Sequence, residues 1–279
     1  MTDALANSIL RVRGLSRQYA TRDVLMRRRT AVHAIRNVDL DILPGKIIAV
    51  VGESGSGKST LARCIALLEP WDEGEVYFRG KDFAKLGGDD MRTFRREMQL
   101  ILQDSAGALN PRFTALEAVE EPLVIQSTKN ADERRREAFR FMERVGLPAE
   151  WADRRVTQFS GGQRQRLAIA RALILRPKFL ILDEALSGLD LSTQAQVLNL
   201  LLELQEAYGL TYLFISHDLA LIAQVADEIA VMHAGEIVER GAAADILNCP
   251  QNSHTIALVN AAASLDGNAC AFAAAGGAK

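Results

Sequence analysis

Gly52–Glu53–Ser54–Gly55–Ser56–Gly57–Lys58–Ser59–Thr60 follows a short apolar run, Ile47–Ile48–Ala49–Val50–Val51, and opens into Leu61–Ala62–Arg63–Cys64–Ile65–Ala66–Leu67–Leu68. The apolar run reads as a buried strand, and the breaker-free stretch behind the glycines reads as a helix. Strand, glycine loop and helix in that order form the context of a phosphate-binding loop. The glycines let backbone N–H groups curl around phosphates at the positive end of the helix. Lys58 can set its ammonium on the β- and γ-phosphates, and the Ser59 hydroxyl can ligate Mg²⁺. A chance Gly/Ser turn is the bland alternative, but every fixed position is filled and both flanks fit. The stretch implies binding of a nucleoside triphosphate.

Composition narrows the rest. The chain has 279 residues, 48% hydrophobic and 24% charged, an ordinary globular mix with room for a substantial core. Lys and Arg number 33 against 35 Asp and Glu, a formal net charge of −2 that gives no support to a nucleic-acid-coating surface. Three cysteines, Cys64, Cys249 and Cys270, show neither metal spacing nor an even-numbered framework, so a reducing compartment is expected. No run approaches the ~20 apolar residues of a membrane span. The first thirty residues do not read as a signal peptide. A soluble chain is expected, with any membrane role supplied by partners.

Ile9–Arg13 and Leu15–Tyr19 read as strand, and residues 20–33, polar and basic, as a hairpin loop between edge strands. Val38, Leu40 and Ile42 alternate with Asn37, Asp39 and Asp41, a strand with one wet face. Glu75–Phe78 and Met98–Leu102 are further strands, with Gln103 at the end of the second. From about 104 to 176 the spacing becomes helical, with Leu116, Val119, Leu123 and Val124 in one stripe and Phe139, Met142 and Val145 in another. Arg134, Arg135, Arg136, Arg140 and Arg144 accompany the second stripe, as a solvated face or a patch for an anionic partner. Phe179–Leu182 is apolar throughout, as a strand covered on both faces would be. A long helix is expected from Ser192 or Thr193 towards Tyr208, then a strand over Thr211–Ile215 and a hairpin over 228–239. The last twenty residues, rich in Ala and Gly, are expected to fray.

Three further stretches carry chemistry. Asp183–Glu184 directly follow the apolar strand. There Asp183 can hold Mg²⁺ through its water shell, while Glu184 can orient or deprotonate a water in line with the γ-phosphate. His217, in Ser216–His217–Asp218, stands at the carboxyl end of a strand, where open α/β sheets bind ligands. It can donate to the γ-phosphate or hold Glu184; His33, His233 and His254 have no such placement. Phe159–Ser160–Gly161–Gly162–Gln163 precedes a helix, with Ser160 as N-cap and bared N–H groups in the first turn. That is either a plain capped helix or a second phosphate-binding terminus. Two such termini are reconciled if two copies of the domain meet head to tail.

The set Gly52–Ser59, Gln103, Ser160–Gln163, Leu180–Glu184, Ser187–Gly188–Leu189–Asp190 and His217 resembles the ATP-binding cassette (ABC) family in identity, order and spacing. The resemblance runs from about Leu10 to Ala257. It implies an α/β fold of the P-loop NTPase type: a mixed, largely parallel RecA-like core, an antiparallel β subdomain and an inserted α-helical subdomain. It also implies an ATPase domain over residues 8–260, the helical part inserted at about 104–176, while composition makes 261–279 a flexible Ala/Gly-rich tail. By the same resemblance, ATP lies on Tyr19, Gly52, Glu53, Ser54, Gly55, Ser56, Gly57, Lys58, Ser59, Thr60 and Asp183. Ser160, Gly161, Gly162, Gln163 and Asp190 would act in trans on a neighbour's nucleotide. Tyr19 takes the place of the aromatic that stacks on adenine. Gln103 touches Mg²⁺ and the attacking water and couples to the membrane subunit; Ser59, Gln103 and Asp183 are the Mg²⁺ residues. Glu184, His217, Lys58 and Gln103 form the catalytic set.

Within the family, the stretches Gln103–Arg112, Gln158–Arg166 and Leu191–Val197 are similar to the ATPase subunits of dipeptide, oligopeptide and nickel importers. That likeness implies an ATP hydrolase peripheral on the cytoplasmic face of the inner membrane. Its partners would be a second ATPase subunit (paralogue or self), two transmembrane permease subunits and, indirectly, an extracytoplasmic substrate-binding protein, with no nucleic acid. The rival is a soluble cassette ATPase acting on nucleic acid or ribosomes. A P-loop kinase or regulatory nucleotide binder is opposed by Glu184 and by the second phosphate-binding terminus.

Overall fold

The computed structural model describes residues 7–22, 29–103 and 105–265. They fall into two compact units, one of residues up to Leu86 together with those from Tyr212 onwards, the other Gly87–Thr211.

In the first unit, β1 (Leu10–Arg22) pairs antiparallel with β2 (Arg29–Ile42) and with β4 (Glu73–Phe78), whose other edge carries the two-residue β5 (Lys81–Asp82). The alternation read in the sequence sorts as expected. Val38, Leu40 and Ile42 are buried, while Asp41 on the wet face takes Arg13 at 2.6 Å and Arg11 at 3.4 Å. The hairpin loop expected over 20–33 is shorter than that. Ala20, Thr21 and Arg22 pair with Ala31, Thr30 and Arg29, so ladder hydrogen bonds carry polar residues into both strands. The remainder of that loop, 23–28, lies outside the described residues.

The second sheet of this unit runs β10 (Glu236–Ala242), β9 (Glu228–His233), β3 (Ile47–Val51) and β8 (Thr211–Ser216). β3 is parallel to both neighbours and buried at all five positions, which is why its sequence shows no alternation. Register places its exit: Val51 lies beside Ser216 on one side and Val231 on the other. The glycine stretch after Val51 therefore leaves the sheet at the same edge as His217. Helix α1 (Lys58–Ile65) comes next and buries Leu61, Ala62, Cys64 and Ile65.

In the second unit, β6 (Met98–Ile101) and β7 (Phe179–Asp183) are parallel, with Ile101 beside Leu182. Gln103 and Asp183–Glu184 thus leave neighbouring strand ends on one edge. A helix absent from the sequence reading, α2 (Gly88–Glu97), leads into β6. Only Phe94 of it is buried, so no apolar stripe announces it; Asp89 and Asp90 in its first turn and Arg95 and Arg96 in its last suit the helix dipole.

After α3 (Ser105–Ala108) come α4 (Ala115–Gln126), α5 (Ala131–Arg144), α6 (Gly161–Leu173) and α7 (Leu191–Tyr208). Thr114 with Glu117, and Asn130 with Glu133, close reciprocal capping boxes on α4 and α5. The expected stripes shift slightly: Leu116, Val119 and Leu123 are buried, but Val124 is 57% exposed, and Phe141 is buried where Phe139 was expected to be. Part of the arginine-rich character of α5 is paired within the unit. Arg134 meets Glu120 at 3.0 Å, and among the acids interleaved with the arginines Glu137 takes Arg176 and Lys129 from outside the helix.

At the end of the chain, in the first unit, short helices α8 (Leu219–Ala223) and α9 (Ala243–Asn248) precede α10 (Ser253–Leu265). The last helix is described as far as Leu265, and 266–279 lie outside the described residues. The His254 ring stacks on His233 at 3.6 Å, a packing role for both. Among the described residues no helix is long and apolar enough to cross a membrane.

Candidate functional site: a nucleotide-binding cassette

In the first unit the glycine stretch forms a tight ring around a buried cation. Lys58 is 3% exposed. Its ammonium donates to the Gly52 carbonyl at 2.8 Å, the Glu53 carbonyl at 2.7 Å and Ser56 Oγ at 3.3 Å. Gly57 is the N-cap of α1 with φ +107°, a conformation that side chains resist. A Cβ there would stand 2.1 Å from the Ala34 carbonyl oxygen. No side chain caps α1, so its first N–H groups are left to the loop and to whatever anion the loop receives. The β9–β10 turn braces the loop from behind, Gly235 N–H donating to the Ser56 carbonyl at 3.0 Å.

His217 is exposed one residue beyond Ser216. Its backbone is set by the next residue: Asp218 N–H donates to Ser216 Oγ at 2.9 Å, and Asp218 caps α8 through Leu221 N–H at 3.0 Å. Tyr19 is half-buried on β1, its hydroxyl donating to the Glu69 carboxylate.

In the second unit Asp183 ends β7 and is 3% exposed. Glu184, next to it, is a non-glycine residue at φ +47°. Left-handed backbone costs a side-chain-bearing residue about 1–2 kcal/mol and persists where the surroundings impose it. Here Ser187 imposes it, donating to the Glu184 carbonyl from its N–H at 3.0 Å and its hydroxyl at 2.7 Å. The turn separates the directions of two consecutive carboxylates, one buried at the strand end and one half-exposed. Gln103 is exposed beyond the end of neighbouring β6.

Ser160 caps α6 in a reciprocal box: Gln163 N–H donates to Ser160 Oγ at 3.4 Å and Ser160 N–H donates to Gln163 Oε1 at 2.9 Å. Gly162 presses on α7, where an added Cβ would stand 2.3 Å from Thr193 Cγ2. Asp190 caps α7, accepting from Thr193 N–H at 2.9 Å and Thr193 Oγ1 at 2.7 Å, and these bonds hold its carboxyl below the ordinary aspartate range. Leu191 beside it is 84% exposed.

The structure thus groups Lys58, Ser59, Tyr19 and His217 in one unit. It groups Gln103, Asp183 and Glu184 at one sheet edge of the other, and Ser160–Gln163 with Asp190 at a helix junction of that same unit. The sequence reading missed the supports: Ser187 behind Glu184, Thr193 against Gly162, Gly235 behind Ser56 and Glu69 at Tyr19. Only Ser187 carried a signal, standing three residues after the carboxylate.

Donor chemistry suits a hard cation beside phosphates. Among the described residues no cluster of three or more His, Cys, Asp or Glu could hold a metal by itself. Mg²⁺ takes one or two carboxylates plus phosphate oxygens; the buried Asp183 carboxylate in one unit and the Ser59 hydroxyl in the other are each donors of that hard-oxygen type.

The sequence profile of the family described as "ABC transporter" matches residues 35–187. The chain is 42% identical over 260 residues to the dipeptide transport ATP-binding protein DppF of Haemophilus influenzae, covering 93% of this chain and 80% of that one. It is 42% identical to the glutathione import ATP-binding protein GsiA of Pectobacterium atrosepticum, over 92% of this chain and 42% of that longer one. Among solved structures, the dimeric post-hydrolysis state of the ATP-binding cassette MJ0796 bound to ADP and Pi matches with a TM-score of 0.74 at 30% identity, covering 84% of this chain and 98% of that one. The P-loop α/β fold, the lysine-centred glycine ring and these likenesses agree: the chain belongs to the ABC transporter family, as one of its ATP-hydrolysing subunits.

Proposed function

We propose that this chain is the ATPase of an importer for di- or oligopeptides or a related small solute, working as a head-to-tail pair. The observation that carries the ATPase chemistry is the Lys58 ammonium held at the centre of the glycine ring. Lys58 and the first N–H groups of α1 stabilise charge growing on the γ-phosphate. Ser59, Asp183 and Gln103 would hold Mg²⁺, which would supply charge neutralisation for the phosphates when bound. Glu184 takes the proton of the attacking water, and His217 fixes the reacting geometry. Ser160, Gly161, Gly162, Gln163 and Asp190 complete the nucleotide site of the partner subunit. Residues 8–260 act as one ATPase domain with a helical insertion at about 104–176.

Import of peptides or a related solute is supported by the names of the relatives, against the rival of a soluble cassette acting on nucleic acid or ribosomes. The partners are a second ATPase subunit (a copy or a paralogue), two transmembrane permease subunits and an extracytoplasmic binding protein. The chain sits peripherally on the cytoplasmic face of the membrane. Val124 and Ile125, 57% and 72% exposed on α4, give the helical insertion an apolar surface suited to a permease contact.

Glu184→Gln tests the chemistry: ATP binding is retained, turnover falls at least ~10²-fold, as expected for loss of a general base, and an ATP-loaded dimer accumulates on size exclusion. Normal hydrolysis by that variant, purified with its membrane partners, would refute the role of Glu184.

A further inference from the structure

Side chains from distant points of the first unit converge on the Tyr19 ring. Its hydroxyl donates to Glu69, which is itself paired with Arg63 at 3.4 Å. The Thr60 side chain also hydrogen-bonds the phenol. The Arg17 guanidinium lies over the ring, its central carbon 5.1 Å from the centroid. Arg17 is held in turn by Asp72 at 3.0 Å. Asp72 is fastened to β1 by two backbone bonds, accepting from Gln18 N–H at 2.6 Å and donating its own N–H to the Ser16 carbonyl at 2.9 Å. Burial, and then the bond to Glu69, push the phenol above its ordinary value, so it remains a donor at neutral pH.

The ring is therefore fixed at its tip and contacted over one face by groups that are fixed themselves. A cation over one face of a tyrosine is attracted to the ring quadrupole, so a second flat partner would have to take the opposite face. Thr60 and Arg63 belong to α1, which begins with Lys58 and Ser59. One helix thus sets both the phosphate cradle and the position of the ring. A ring already locked in place offers a stacking surface without an ordering cost on binding.

We propose that Glu69 is a positioning residue for base recognition, holding Tyr19, with Arg17 behind it, so that the other ring face stacks on adenine at a set distance from the phosphate loop. This rests on the reading of Tyr19 as the base-stacking residue, which Tyr19→Ala examines separately.

The test uses the full chain and displacement of a fluorescent ATP analogue by ATP, GTP and inorganic tripolyphosphate, the last reporting on the phosphate loop alone. Glu69→Gln and Tyr19→Phe are each expected to weaken ATP binding roughly three- to tenfold, the scale of one ordinary net hydrogen bond. Both narrow the preference for ATP over GTP, and both leave tripolyphosphate displacement unchanged. The double variant is no worse than Tyr19→Phe alone, since the carboxylate acts on the ring through the phenol hydroxyl that the phenylalanine lacks. Tyr19→Ala weakens ATP binding at least as much. If Tyr19→Ala leaves ATP affinity intact, the base-stacking reading fails and the proposal falls with it. If Tyr19→Ala weakens binding while Glu69→Gln does not, or the two single losses multiply in the double variant, the positioning role is overturned and base stacking stands. Equal loss of ATP and tripolyphosphate binding in Glu69→Gln also overturns it, because the effect then runs through Arg63 and α1.

Discussion

One methyl group added at Gly162 tests whether the junction of α6 and α7 demands glycine for packing or for ligand access. In the structure the new Cβ would stand 2.3 Å from Thr193 Cγ2, far inside van der Waals contact. Thr193 cannot easily swing aside, because its hydroxyl is bonded to Asp190 at 2.7 Å and β-branching leaves it few rotamers. Overpacking of this kind costs about 1–3 kcal/mol, and the better helix propensity of alanine returns less than about 1 kcal/mol. The expected net loss is about 1–2 kcal/mol, or a fall in Tm of about 2–6 °C for a chain of this size. Thr193→Ser removes the offending methyl while keeping the hydroxyl on Asp190, so Gly162→Ala/Thr193→Ser should recover most of the loss. Thermal melts of the four proteins close the cycle. If Gly162→Ala melts with the wild type, or the serine fails to rescue it, the packing argument is wrong. ATPase activity then separates the second reason for glycine: a double variant that is stable but inactive leaves access to the partner's nucleotide as the requirement.

Two shorter predictions rest on titrating groups. At Glu137 burial alone would raise the carboxyl, but the hydrogen bond from Arg176 and the charge of Lys129 outweigh it and hold it below 4.5. A lowered folded value stabilises the protein at neutral pH and loses that contribution as pH falls through it. Glu137→Gln should therefore cost about 1–2 kcal/mol at pH 7, and the gap in Tm should close as the pH drops below 4.5. A constant gap across that range would remove the ion pairs from the explanation. Burial, with the charge of Glu69 adding to it, pushes the Cys64 thiol up to about 12, whereas Cys249 is exposed. In a Cys270→Ser background at pH 8, a thiol reagent should label Cys249 in the native protein and reach Cys64 only on unfolding, which peptide mapping would show.

What the sequence displayed best was local. Ile47–Val51 and Phe179–Leu182 could be read as two-sided strands because nothing polar interrupts them, and Ser160 as an N-cap because a cap is settled within the first turn it begins. The fold around them was harder where pairing overrides composition. Thr21 and Arg22 look like loop but are strand, since Thr30 and Arg29 supply their ladder partners. α2 was invisible because a helix that buries only Phe94 writes almost no period. At the site, residue types were legible but supports were not. Gly162 meets Thr193 and Tyr19 meets Glu69 only after folding, and no spacing rule links such pairs. The left-handed backbone of Glu184 was equally hidden, because glutamate is not a residue that advertises positive φ.

The brace behind the phosphate loop has a consequence for how this subunit takes up its fuel. Gly235 N–H holds the Ser56 carbonyl, and the Gly235 carbonyl in turn accepts from Arg36 N–H at 2.8 Å, tying the loop to a turn and a strand far away in the chain. A loop stitched down on its outer side keeps its shape between turnovers, so affinity need not be spent on ordering it afresh in each cycle. Loosening that stitch from a distance would make the motor hungry for ATP while leaving every group that handles phosphate untouched.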